Sequence, residues 1–267
     1  MKSRMLILGV VLSATFLTAC SSTPPLDKRN EQVAGYPVMS AMLTTDNTST
    51  ARKVLFIGNS IMYWHEVPKI FASLLKQIHP KSPTKIAYVV GNNYSLKDHW
   101  DAGRALEFIN QKGPWDYVIL QDSSGTEFYQ TAGEARYIGA FIQAIRKTNA
   151  QPLLFQTYVD DASLALDSQD RFQKLADSHA VFLLPVGNWW NHARTCPGVE
   201  LYDVPDTHHP SLLGSYLIAL VTVLNIDKQV PANVVKGLTL TYSDKEGSKR
   251  LDTKLVNSVF ARDLPNQ

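Results

Sequence analysis

The chain reads as an α/β protein, a three-layer α/β/α sandwich around a central parallel sheet of about five strands. Three observations predict this. Short apolar runs such as Val54-Leu55-Phe56-Ile57 and Val118-Ile119-Leu120 have strand length and lack polar alternation, as strands covered on both faces do. Each run ends in turn-forming or polar residues: Gly58-Asn59-Ser60, Gly91-Asn92-Asn93 and Gln121-Asp122-Ser123-Ser124. Between the runs lie segments with helical apolar spacing, among them Val67–Ile78 with Ile70, Leu74 and Ile78 on one face. A composition 45% hydrophobic and 19% charged over 267 residues supports one sizeable domain.

Taken in order, Lys53–Ile57 is the first strand and Val67–Ile78 the first helix. Lys85–Val90 is the second strand, Ala102–Gln111 a helix and Trp115–Leu120 the third strand. Ala132–Thr148 is a long amphipathic helix, Pro152–Thr157 the fourth strand, Arg171–Ser178 a helix and Val181–Pro185 the fifth strand. Ser211–Leu224 closes the unit as a helix. Right-handed crossovers bring all strand exits of a parallel sheet to one edge. Ser60, Gly91 and Gln121, distant in sequence, are therefore expected to converge there.

The amino terminus differs from the rest. Lys2 and Arg4 precede an apolar run from Met5 to Phe16, then Leu17-Thr18-Ala19-Cys20, the pattern of a signal peptide too short for a comfortable membrane span. The ending resembles the lipobox of bacterial lipoproteins. That resemblance implies cleavage before Cys20, lipidation of its thiol and anchoring in the bacterial cell envelope. Ser21 in place of Asp implies the outer membrane. Residues 1–19 are then a signal peptide, 20–50 a lipidated cysteine with a flexible Ser/Thr/Pro-rich tether that has room for local structure near Tyr36–Met42, and 51–267 the folded domain. Lipidation of Cys20 leaves Cys196, the other cysteine, without an internal disulfide partner. A net charge of +2 gives no reason to expect a nucleic-acid partner.

The chemistry-bearing residues lie at the two ends of the domain. Ester hydrolysis at a serine needs a nucleophilic hydroxyl, an imidazole to take its proton, a carboxylate to orient the imidazole and donors for the oxyanion. Ser60 at a strand exit supplies the hydroxyl. In Asp206-Thr207-His208-His209-Pro210-Ser211, Asp206 and His209 fit the carboxylate and the imidazole, in a known triad order. Other readings of these residues are a bare turn and helix cap at Gly-Asn-Ser, a metal site at Asp206, His208 and His209, His208 as the base, and Asp203 as the orienting carboxylate. The sequence lacks a Gly-x-Ser-x-Gly elbow, which disfavours the α/β-hydrolase fold.

Phe56-Ile57-Gly58-Asn59-Ser60 resembles the first block of the SGNH (GDSL-like) hydrolases. Asp206 to Ser211, with Gly214 and Tyr216-Leu217, resembles their last block, and Gly91 matches the second-block glycine. The similarity spans roughly residues 52–225. It implies Ser60 as nucleophile, His209 as general base and then acid, and Asp206 as its orienting carboxylate. It also implies an oxyanion hole from the N–H groups of Ser60 and Gly91 and a side-chain amide. The third block departs from the family's Gly-x-Asn-Asp, and Gln121 takes the amide role by position. No metal or organic cofactor is implied.

The expected activity is that of a serine esterase acting on a short-chain or acetyl ester, on a small molecule or a glycan. A tethered carbohydrate-binding module without turnover, and an acyltransferase using the same triad, are the alternatives. Tyr63, Trp64, Tyr94, Trp100, Trp189 and Trp190 crowd the expected active edge, where rings suit sugar faces but also serve as core. His65, His79, His99, His179 and His192 read as surface or loop histidines, and Asp122 as a solvated loop carboxylate or an electrostatic aid to the site.

Overall fold

The computed structural model describes residues 38–123, 135–204, 208–244 and 247–263. Cys20 with the whole leader, Asp206 and the expected helix start at 132–134 lie outside the described residues. One sheet contains β1 (Met39–Thr45), β2 (Arg52–Gly58), β3 (Thr84–Val90), β4 (Tyr117–Leu120), β5 (Gln151–Phe155) and β6 (Phe182–Leu184), in spatial order β1-β3-β2-β4-β5-β6. β2 to β6 run parallel, as the apolar runs predict. β1 is a sixth, antiparallel strand on β3.

That strand corrects the expected boundary at residue 51, since residues 39–45 of the supposed tether are part of the sheet. Its sequence, MSAMLTT, is half-buried in the middle and exposed at both ends. An edge strand needs one hydrogen-bonded neighbour and little apolar content, so its signal is weak.

The helices are α1 (Ser60–Tyr63), α2 (Val67–Ile78), α3 (Leu96–Ala102), α4 (Arg104–Gln111), α5 (Ala135–Arg146), α6 (Ala165–Ser178), α7 (Val186–Ala193), α8 (Leu212–Ile226), α9 (Ala232–Gly237) and α10 (Lys254–Asp263). The single helix expected over Ala102–Gln111 is the second of two. Ser95 opens α3 with a capping box to Asp98, and Gly103, at φ 78°, closes α3 and opens α4.

Alternate residues of β2 serve opposite faces. Val54 and Phe56 join a core with α2, α7 and α8, while Leu55 and Ile57 join one with α3, α4, α5 and α6. α8 is buried over nearly its whole length, which explains its all-round apolar sequence LLGSYLIALVTVLNI. The segment after residue 230 adds α9, a hairpin of β7 (Leu240–Asp244) and β8 (Gly247–Leu251), and then α10. Tyr216 of α8 donates to Asn257 Oδ1 of α10 at 2.7 Å, and Asn257 Nδ2 donates to the carbonyl of Leu238 at 2.7 Å. Burial pushes the Tyr216 hydroxyl up to about 12.

The strand order reverses at β2, whose neighbours are β3 on one side and β4 on the other. Such a switch point leaves a crevice at the carboxyl edge, where ligands of open α/β sheets bind. Ser60 follows β2 and Gln121 follows β4, so both stand at that crevice.

Candidate active site

At the end of β2 the chain turns sharply into α1. Asn59 is the N-cap, with extended backbone and Oδ1 accepting from the Ile61 N–H at 3.2 Å. Its Nδ2 donates to the carbonyls of Tyr94 at 3.2 Å and Asp122 at 3.4 Å, tying the exits of β3 and β4 to the same turn. Gln121 completes the bracket. Its Oε1 accepts from the Asn59 N–H at 2.7 Å, and its Nε2 donates to the carbonyl of Asp122. A Cβ at position 58 would stand 2.3 Å from that Oε1 and 2.9 Å from Met62 Cγ, so any larger residue would displace the Gln121 bracket. Ser60, 7% exposed, is the first residue of α1, where a backbone N–H has no partner inside the helix.

His209 arrives on a strap before α8. The strap pairs with residues 201–203: Ser211 N–H donates to the carbonyl of Leu201 at 2.8 Å, and Asp203 N–H to that of His209 at 3.0 Å. Tyr158 Oη donates to the carbonyl of His208 at 3.0 Å. Ser211 caps α8 by accepting from the Gly214 N–H at 3.0 Å. A Cβ at Gly214 would come within 2.2 Å of the Leu201 carbonyl oxygen, so this glycine lets helix and strap touch. The result sets His209 Nε2 2.9 Å from Ser60 Oγ. His208 turns away, its Nδ1 2.9 Å from Asp160 Oδ2, and the two imidazole planes lie at 84°. The adjacent histidines therefore serve different partners.

Trp64, one turn beyond Ser60, lies on the imidazole of His209 with ring centroids 4.1 Å apart and planes 13° from parallel. Its indole N–H donates to Asp203 Oδ2 at 2.8 Å. This bond is the main reason the Asp203 carboxyl is held below the usual carboxylate range, with smaller help from His65. Asp203 thus meets Trp64 through its carboxylate and His209 through its backbone.

The floor of the site is held by a buried imidazole. His99, fully buried rather than superficial, has Nε2 2.7 Å from the Gly58 carbonyl oxygen. That geometry puts a proton on Nε2, which donates to the carbonyl. Desolvation is the leading cause of its pKa, lowered to about 4 from the ordinary 6.5. The same carbonyl accepts from the Gly91 N–H at 3.2 Å. Tyr94 then folds over Gly91 so closely that a Cβ there would stand 2.3 Å from its ring. Asp122 is 1% exposed, not solvated, and Oδ1 accepts from the N–H groups of Leu96 at 2.8 Å and Ser123 at 2.9 Å.

Of the residues the sequence singles out, Ser60, His209, Gly91 and Gln121 do gather at one edge. The Gly91 N–H is engaged with Gly58, and Gln121 brackets two backbone groups, so of the three expected oxyanion donors the Ser60 N–H is the one at an open helix end. Of the six aromatics, Tyr94 and Trp190 are core, Trp190 stacking on Tyr158 at 3.7 Å. Trp189 stacks on Phe260, Trp100 meets Phe141 edge-on, and Tyr63 donates to Asn92 Oδ1 at 2.9 Å. Trp64, 42% exposed, is the one that faces both solvent and the histidine. The sequence reading missed the roles of His99 and Asp203. Spacing could have flagged Trp64, four residues past the serine, but nothing local marks His99.

Neither a search against models of known families nor a search of curated proteins found a match. Solved structures do match. A candidate SGNH hydrolase from Slackia heliotrinireducens is 22% identical, covering 66% of this chain and 99% of that one, with a TM-score of 0.54. An acetylxylan esterase from Geobacillus stearothermophilus is 12% identical, covering 68% of this chain and 97% of that one, at 0.56. Structures of that esterase include catalytic mutants at a serine, an aspartate and a histidine, the last two three positions apart. A Bacillus subtilis protein is 17% identical over 67% of this chain and 57% of that one, at 0.52. What this chain shares with SGNH hydrolases and acetylxylan esterases at these identities is the α/β fold, a mostly parallel six-stranded sheet between helical layers.

Proposed function

We propose that this chain is an SGNH-type serine esterase that removes a short acyl group, acetyl foremost, from a glycan ester. The observation that carries the reading is the 2.9 Å approach of Ser60 Oγ and His209 Nε2 at the switch point of the sheet. It is supported by the fold shared with acetylxylan esterases and by the aspartate three positions before the histidine in both chains.

In this scheme Nε2 of His209 takes the Ser60 hydroxyl proton as Oγ bonds to the ester carbonyl carbon. The carbonyl electron pair moves to oxygen, where the Ser60 N–H receives the oxyanion at the amino end of α1. One such donor is worth about 2.7–4 kcal/mol. Gly91 gives a second donor if it leaves the Gly58 carbonyl, and Gln121 keeps the turn in place. Collapse breaks the bond to the alcohol oxygen, which takes the proton from His209. Water, deprotonated by His209, then releases the acid and restores Ser60. Asp206 is assigned the orienting role on His209. Cys20 is assigned the lipid anchor, which places the enzyme at the bacterial envelope with its glycans.

The test is acetate release by the full chain from acetylated xylooligosaccharides and from p-nitrophenyl acetate. Wild type releases acetate, and Ser60→Ala and His209→Ala each lower kcat by about 10³-fold or more. Undiminished release by Ser60→Ala contradicts the assignment.

A further inference from the structure

We infer that Trp64, anchored by Asp203, is a positioning residue for the general base, and that its ring face stabilises His209 when it carries the serine's proton. The inference rests on the esterase reading and adds a residue to it. Three contacts close a circuit: indole ring on imidazole at 4.1 Å, indole N–H on Asp203 Oδ2 at 2.8 Å, and Asp203 N–H on the His209 carbonyl at 3.0 Å. The imidazole is thus held by its own backbone and by a plate whose edge is tied to the same neighbour. Near-parallel planes, 13° apart, leave the ring unable to tilt off Ser60 without losing the stack.

The stack also changes through the reaction. His209 gains a positive charge as Nε2 takes the hydroxyl proton. A cation over an indole face is attracted by the ring quadrupole more than a neutral ring is. The contact is therefore stronger in the transition state than in the ground state, which is the condition for raising kcat rather than lowering KM. Trp64 is the first residue past α1, so the short helix that presents the nucleophile also delivers the plate.

The test compares Trp64→Leu with Trp64→Phe in the full chain, on p-nitrophenyl acetate. Trp64→Leu keeps apolar bulk without a π face and is expected to lower kcat about 3- to 30-fold at constant KM. Trp64→Phe restores an aromatic face and returns kcat to within about threefold of wild type. Equal kcat in wild type and Trp64→Leu overturns the inference. So does a phenylalanine variant as slow as the leucine variant, or a change confined to KM, which would make the ring a wall of the substrate site. A second readout does not need turnover. Emission assigned to Trp64, as the difference from Trp64→Phe, rises when His209→Ala removes the stacked quencher, and unchanged emission overturns the clamp even if the esterase reading fails.

Discussion

Lowering the pH is expected to destabilise this protein through one residue, His99, before most of its carboxylates protonate. In the folded chain His99 is fully buried, with Nε2–H on the Gly58 carbonyl and Nδ1 without a hydrogen-bond partner. Protonation would place a cation and an unsatisfied N–H inside the core beneath the nucleophile's turn, so the folded pKa falls to about 4. The unfolded chain takes the same proton near 6.5. Between these values the unfolded state binds more protons, so stability is full above 6.5 and declines as pH falls toward 4. The difference of about 2.5 pH units corresponds to about 3 kcal/mol, most of it lost by pH 4.5. That is a large part of the roughly 5–15 kcal/mol that holds a domain together. Urea unfolding at pH 7.5, 6.0, 5.0 and 4.5 measures the slope. His99→Gln, whose amide can still donate to Gly58, is expected to be less stable at pH 7.5 yet nearly flat between 6.5 and 4.5. A variant that loses as much stability as wild type over that range would refute the argument.

Three substitutions test the scaffold around the site. Gln121→Ala strips the buried Asn59 N–H of its acceptor and is expected to cost about 1–3 kcal/mol in urea unfolding. A loss of kcat of about 10²- to 10³-fold without loss of stability would instead make Gln121 an oxyanion donor. Gly214→Ala drives a Cβ against the Leu201 carbonyl oxygen and the Trp190 ring, and is expected to cost about 1–3 kcal/mol and to lower kcat by shifting the His209 strap. Tyr216→Phe removes the bond to Asn257 and leaves that side chain short of a donor. The expected loss is about 1–2 kcal/mol, read as a lower urea midpoint with activity per folded molecule unchanged.

What could be read in advance depended on how many neighbours a segment must satisfy. β2 to β6 are covered on both faces, so their apolar runs announce them, and Ser60 follows from the turn at the end of β2. α2 runs over Val67–Ile78 as its spacing predicts. β1 showed in the sequence only as local structure near Tyr36–Met42, not as a strand, because an edge strand with mostly half-buried residues needs no apolar pattern. Helix α3, just before the helix expected from Ala102, escaped because its seven residues bury only Leu96, His99 and Ala102, too short a run to show an apolar period. The site divided in the same way. Ser60 and His209 carry chemistry recognisable by residue type and setting. Gln121, Asp122 and His99 have roles set by burial at the meeting of three strand exits, which linear spacing does not encode. Aromatics gave the least specific signal, since Tyr94 and Trp190 are polar-edged rings used as core.

The central claim is that Ser60 is a nucleophile activated by His209. Its most direct test is covalent capture of the full chain by a fluorophosphonate, followed by peptide mass spectrometry. The account predicts one phosphonylated residue, Ser60, with labelling slowed by about 10³-fold or more in His209→Ala and esterase activity lost in step with labelling. Labelling at another serine, or wild-type turnover that persists after Ser60 is fully modified, would contradict it.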